Sequence, residues 1–209
     1  MRTIFPLPLR NLWIRKYGVF APKSVSWAIF ALIATFAIAP TVLADRYQDE
    51  NLIVPIERDW FVMPAERKGK VLLTTIALPH RPEFVVFQVF FGENDPNLQA
   101  KYAIYFLLLT RDCVNAFKHE VKSFKEGPYA AVQFSISCVT DTETKTGTFS
   151  VAKMIQGADS LYVVQRILRG KLSSAKENPL TQELAQQWEN FFSKIYVCDT
   201  RRPDAPCPQ

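Results

Sequence analysis

Glycine is scarce in this chain, 7 in 209 residues, and histidine scarcer, with 2. The sequence has no GxGxxG, no Walker loop, no GxSxG and no CxxC. These gaps remove the local signatures of dinucleotide binding, phosphate cradling, a nucleophile elbow and a zinc ribbon. His80 lies in a Pro-flanked turn. His119 and Glu120 open like a metalloprotease helix, but Ser123 stands where the second histidine ligand must fall, so that zinc site cannot form. Cys113 and His119, six residues apart, would point about 120° apart around a helix and make a poor nucleophile pair. No catalytic, cofactor-binding or metal-ligating set is expected, and no cofactor.

Acidic residues are absent from residues 1–44, which carry Arg2, Arg10, Arg15, Lys16 and Lys23. The formal charge of +5 therefore belongs to this leader, and the remainder balances 20 basic against 20 acidic residues. A neutral domain without alternating basic and aromatic residues is a poor nucleic-acid binder, so no nucleic acid is expected. Its clusters Arg58, Arg67, Lys68, Lys70 and Arg166, Arg169, Lys171 read as solvated faces. Arg201 and Arg202, inside a Pro-rich tail, are the candidate contact for a small anion or carboxylate.

Charge is also missing between Lys23 and Asp45, where the apolar run Val25 to Ala39 is followed by Pro40 and then Thr41-Val42-Leu43-Ala44. That order of basic segment, apolar segment and small residues is the pattern of a secretory signal. Cleavage is expected between Ala44 and Asp45, leaving 45–209 as a single exported domain. Uncleaved, the uncharged stretch 24–44 is just long enough, at about 1.5 Å per residue, to span about 30 Å of hydrocarbon. Basic residues on its N-terminal side would then hold that side in the cytoplasm and the domain outside. Both readings place the domain in the periplasm or beyond, with membrane contact only through the N-terminal segment if it stays.

The four cysteines, Cys113, Cys138, Cys198 and Cys207, all follow the leader and suit an oxidising compartment. Of three pairings, spacing favours Cys198 with Cys207 across the tail, leaving Cys113 with Cys138.

Apolar periodicity predicts strands over Trp60–Met63, Val71–Leu78 and Phe84–Phe91, the last apolar on both faces and so central and covered on both sides. Tyr102–Leu109 is assigned as a strand. Val114, Phe117, Val121 and Phe124 recur at three and four, which predicts an amphipathic helix over 112–125. Three strands follow as an antiparallel meander over Val132–Cys138, Thr148–Gln156 and Leu161–Leu168. A second helix is predicted over 178–196, with Asn178 as N-cap, Pro179 at the first position, and Leu180, Leu184, Trp188 and Ile195 on its core face. The expected fold class is α+β, a largely antiparallel sheet packed by two amphipathic helices and stapled by disulfides.

A helix, strands over Tyr129–Cys138, Thr148–Ile155 and Leu161–Ile167, a Gly157-Ala-Asp-Ser160 turn and a closing helix resemble the small α/β/α sandwich of PsbP-type photosystem II oxygen-evolving accessory proteins and Mog1-like proteins. That resemblance implies a non-enzymatic accessory or binding role and carries over no functional residues. The paired cysteines and the ending Tyr196 to Pro208 depart from it and look more like small exported bacterial proteins, a likeness that brings no activity. The expected function is thus an exported accessory protein with a protein partner in the cell envelope. The alternatives are a hydrolase whose site is assembled from scattered residues and a membrane-tethered component of an envelope complex.

Overall fold

A computed structural model describes residues 49–79, 81–142, 144–176 and 178–208. The expected cleavage point at Ala44 and Asp45, and His80, lie outside the described residues. In chain order the elements are β1 (Glu50–Ile53), β2 (Phe61–Val62), β3 (Glu66–Lys68), β4 (Val71–Ala77), β5 (Glu83–Phe91), α1 (Leu98–Thr110), β6 (Cys113–Glu126), β7 (Tyr129–Asp141), β8 (Gly147–Gln156), β9 (Ser160–Gly170), α2 (Gln182–Phe192) and β10 (Tyr196–Asp199). One antiparallel sheet runs β2-β4-β5-β9-β8-β7-β6, with β3 also on β4, and β1 pairs with β10 in a separate two-stranded ribbon.

The expected fold class is corrected by this arrangement. The protein is mostly antiparallel β-sheet, and it is not an α+β fold built on two amphipathic helices. Residues 112–125, predicted helical, form the long edge strand β6. From Phe117 to Val121 half-buried positions alternate with exposed Lys118 and Glu120, a period of two, and the bulge between Lys118 and Val121 shifts the pairing register. Across such an irregularity, spacings of three and four arise without a helix. The converse error falls on Tyr102–Leu109, which lies inside α1. Leu98, Tyr102 and Tyr105, with Phe106 and Leu109, form its stripe toward the sheet. Ile104, Leu107 and Leu108 are equally apolar but exposed, and they mask the period of 3.6. The second predicted helix is shorter than 178–196. Its N-cap is Thr181, which accepts a hydrogen bond from the Leu184 amide at 3.2 Å, while Asn178 accepts from the Leu180 amide before the helix begins.

Strands β7, β8 and β9 lie side by side in sequence order, joined by tight connections. Alternation along them divides the core between the two faces of the sheet. On one face Val132, Phe134, Met154 and Val163 meet Tyr102 and Tyr105 of α1. On the other, Val85, Phe87, Ile155 and Tyr162 meet Trp188, Phe191 and Phe192 of α2 and Leu52 and Val197 of the small ribbon. Disulfides join Cys113 at the start of β6 to Cys138 on β7, and Cys198 on β10 to Cys207 in the tail.

Candidate functional site

Two charged side chains lie in phase with the buried alternation on the α2 face. Glu83 shares its face of β5 with Val85, Phe87 and Val89, and Arg166 shares its face of β9 with Tyr162 and Val164. The register pairs Val85 with Arg166 and Glu83 with Leu168, so Glu83 and Arg166 are diagonal neighbours. Both side chains are under 5% exposed. Arg166 donates to Glu83 Oε2 from Nε at 3.1 Å and from Nη2 at 2.8 Å, and Trp188 Nε1 donates to the same oxygen at 3.0 Å. The guanidinium carbon stands 5.2 Å from the Trp188 ring centre, 5.4 Å from Phe191 and 5.8 Å from Trp60. Burial among these rings pulls the Arg166 pKa down, and the Glu83 carboxylate opposes that pull.

This assembly floors a cleft of about 360 Å³ at the end of the sheet. One wall is α2, through Gln187, Asn190 and Phe191, continued by Lys194 in the turn after it. The other is the connection from β1 to β2, through Pro55, Glu57, Asp59 and Trp60. Arg81 reaches across the mouth, donating from Nη1 to Gln187 Oε1 at 3.2 Å and standing 3.9 Å from Glu83 Oε1. The lining mixes strong donors, carboxylate acceptors and amides that do both, with aromatic surface beside them. A second hollow of about 140 Å³, lined by Leu52, Val54, Ile56, Val62, Ile76 and Phe87 among others, is almost wholly apolar. Along the connection, Val54 and Ile56 face that hollow whereas Pro55 and Glu57 face the cleft, the alternation of an extended segment.

The residues singled out in sequence lie elsewhere. Arg201 donates to Asp199 from Nε at 2.8 Å and from Nη2 at 2.7 Å, and to Asp159 from Nη2 at 2.7 Å. Its hydrogen bond holds the Asp199 carboxyl below the usual range. Arg202 grips Asp204 with two bonds, at 3.0 and 2.8 Å. An outside anion would have to displace these carboxylates. His119 Nε2 lies 2.6 Å from Ser137 Oγ, edge-on to Phe117 and Phe149, and burial lowers its pKa. Ser137 is completely buried, out of reach of a substrate. Among the described residues no cluster of three or more His, Cys, Asp or Glu side chains could hold a metal ion, and no helix is long and apolar enough to cross a membrane.

Glu83, Arg166, Trp60 and Trp188 were not singled out as a site from sequence. The signal was present in the phase: Glu83 precedes the run Val85, Phe87, Val89 by two, and Arg166 follows Tyr162 and Val164 by two.

No protein-family model matches the chain, and no curated protein matches it by sequence. Among solved structures, the Saccharomyces cerevisiae Ran-binding protein Mog1p is similar with a TM-score of 0.46 and 12% identity, over 72% of this chain and 92% of that one. LpqN, involved in cell envelope biogenesis in Mycobacterium tuberculosis, is similar with a TM-score of 0.42 and 13% identity, over 72% of this chain and 84% of that one. No residue or activity is carried over from either.

Proposed function

We propose that the chain is an exported, disulfide-stapled accessory protein of the cell envelope, released from its leader after Ala44, that acts by binding a component of the envelope in the cleft over Arg166. The observation that carries this reading is the preformed cleft itself. Its floor is fixed by three hydrogen bonds converging on Glu83 Oε2 and by aromatic rings around the guanidinium, so a ligand meets groups already in position. Two disulfides in the chain and the signal-like leader support export.

The test is isolation of the native chain from fractionated cells. The expected product starts at Asp45, has no alkylatable thiol, and carries a photo-crosslinker placed at Asn190 into contact with an envelope component. A cytosolic chain with free thiols overturns export, and a product that keeps residues 1–44 replaces the free protein with a tethered one. Turnover in a hydrolase screen, abolished by substituting Glu57 or Asp59, overturns binding in favour of catalysis.

A further inference from the structure

We propose that the cleft over Arg166 takes an uncharged saccharide, a mono- or disaccharide unit of envelope carbohydrate. This inference rests on the binding-protein reading above. Charge balance decides the class. The lining supplies Arg81, Arg166 and Lys194 against Glu57 and Asp59, and Glu83 lies directly beneath Arg166, so cations and anions are matched. An anionic ligand would gain from the first set and lose to the second, and a cationic one the reverse. A polyhydroxylated ring uses both, because each hydroxyl donates one hydrogen bond and accepts others. Carboxylates of Glu57 and Asp59, amides of Gln187 and Asn190 and the guanidinium of Arg81 are planar groups that can engage neighbouring hydroxyls in pairs.

The aromatic surface supplies the other half of the chemistry. The axial C–H bonds of a pyranose make one face of the sugar apolar and slightly positive, and it packs on the negative face of an aromatic ring. Trp60 lines the cleft half-buried, tilted against Phe191 at 5.7 Å between ring centres, and offers such a platform at the wall. Beneath it, Arg166 uses Nε and Nη2 on Glu83, while its Nη1 makes no hydrogen bond to the described residues. A sugar hydroxyl is a fitting acceptor for that donor and does not disturb the buried ion pair. The volume, about 360 Å³, is at the lower end for ligand sites and suits a small ring system rather than a long chain.

Of the two described tryptophans, Trp60 lines this cleft and Trp188 lies buried beneath it against Glu83 and Arg166, so tryptophan fluorescence of the disulfide-bonded native chain reports on it. The probes are maltose and chitobiose as neutral saccharides, with glucuronate and acetate as charged controls. Saturable change with a neutral saccharide, and none with acetate, is the expected result. Trp60→Ala should weaken that binding by about tenfold or more. Asn190→Ala, an exposed change that leaves the melting temperature unaltered, should weaken it by about threefold or more. Saturation by acetate or glucuronate alone overturns the assignment in favour of an anion site. No saturation by any neutral probe, with a crosslinker at Asn190 still trapping an envelope protein, also overturns it but leaves the binding-protein reading standing. A cytosolic chain with free thiols removes both.

Discussion

Glu83 and Arg166 form a buried ion pair in which one carboxylate oxygen accepts two arginine hydrogen bonds, at 3.1 and 2.8 Å, and a third from Trp188 at 3.0 Å. The pair joins two adjacent strands, and through Trp188 it fixes α2 against the sheet. Removing one partner strands the other charge in a site under 5% exposed. Arg166→Met should therefore destabilise the fold by about 3–5 kcal/mol in urea denaturation. The double substitution Glu83→Leu with Arg166→Met removes both charges and should recover most of that loss. A double mutant as unstable as the sum of the two single mutants would show that the pair contributes more than mutual neutralisation.

Glu50 supplies the pH dependence. It is 1% exposed and accepts hydrogen bonds from Tyr162 Oη at 2.9 Å and from the amides of Ala158 and Asp159. Burial nevertheless dominates and raises its pKa above the ordinary 4.5. Between 4.5 and the raised value the folded chain keeps a proton that the unfolded chain releases. The contribution of this group is thus largest below the unfolded pKa and falls as pH rises through the folded one. Glu50→Gln should match the parent near about pH 4 and exceed it in stability near about pH 8, because only the parent must bury an anion there. Thermal melts at the two values check this, and a variant less stable than the parent only at the higher value would contradict it.

Gly157 shows the same constraint from the turn side. A Cβ there would collide with the Glu50 carboxylate, which two amides and a tyrosine hold in place. Gly157→Ala should lower the melting temperature, and pairing it with Glu50→Ala should restore part of the loss, since the colliding group is then gone. Differential scanning calorimetry of the three variants settles the coupling.

The sequence was most legible where one physical signal acted alone. Alternation in Val132, Phe134 and Ile136 and in the β8 and β9 runs marks strands that lie side by side, because each buries one stripe against a helix on either face of the sheet. It misled where two signals overlapped. In α1, apolar residues fill the exposed side as well as the buried one, so Ile104, Leu107 and Leu108 concealed the helical period. In β6, the bulge after Lys118 spread Phe117, Val121 and Phe124 to helical spacing on a strand. At the cleft, Arg166 reads as part of a solvated face and Glu83 passes unnoticed, because their partner relationship spans 83 residues, which no local window contains. Only their phase with buried neighbours betrayed them.

The two disulfides should differ in what they contribute. The Cys113–Cys138 bridge closes a separation of 25 residues, and the Cys198–Cys207 bridge one of 9. Chain-entropy scaling assigns about 3.5 kcal/mol to the first and about 2.6 kcal/mol to the second. Cys113→Ala with Cys138→Ala should therefore cost more than Cys198→Ala with Cys207→Ala in equilibrium unfolding. The opposite order would mean that the tail staple acts chiefly through native contacts, such as the Asp199 amide bonded to the Ala205 carbonyl at 2.8 Å.

Lys153 is a further buried charge. It rises from β8 toward α2, 2% exposed, and donates to Glu126 at 2.6 Å, to the Phe192 carbonyl at 3.1 Å and to the Ile195 carbonyl at 2.6 Å. The Phe192 carbonyl ends α2, where the helix dipole favours a cation, and the Ile195 carbonyl follows three residues later, just before β10. Burial lowers the lysine pKa while the Glu126 carboxylate opposes the shift, so the ammonium is held by its three acceptors. Lys153→Met keeps the length of the side chain and removes all three bonds, and should cost about 3–5 kcal/mol. The loss should fall unevenly: amide exchange ought to quicken first in the last turn of α2 and in β10, which follows it, and later in β7 and β9. Uniform acceleration across the sheet would show instead that Lys153 supports the whole sheet and not the end of the helix.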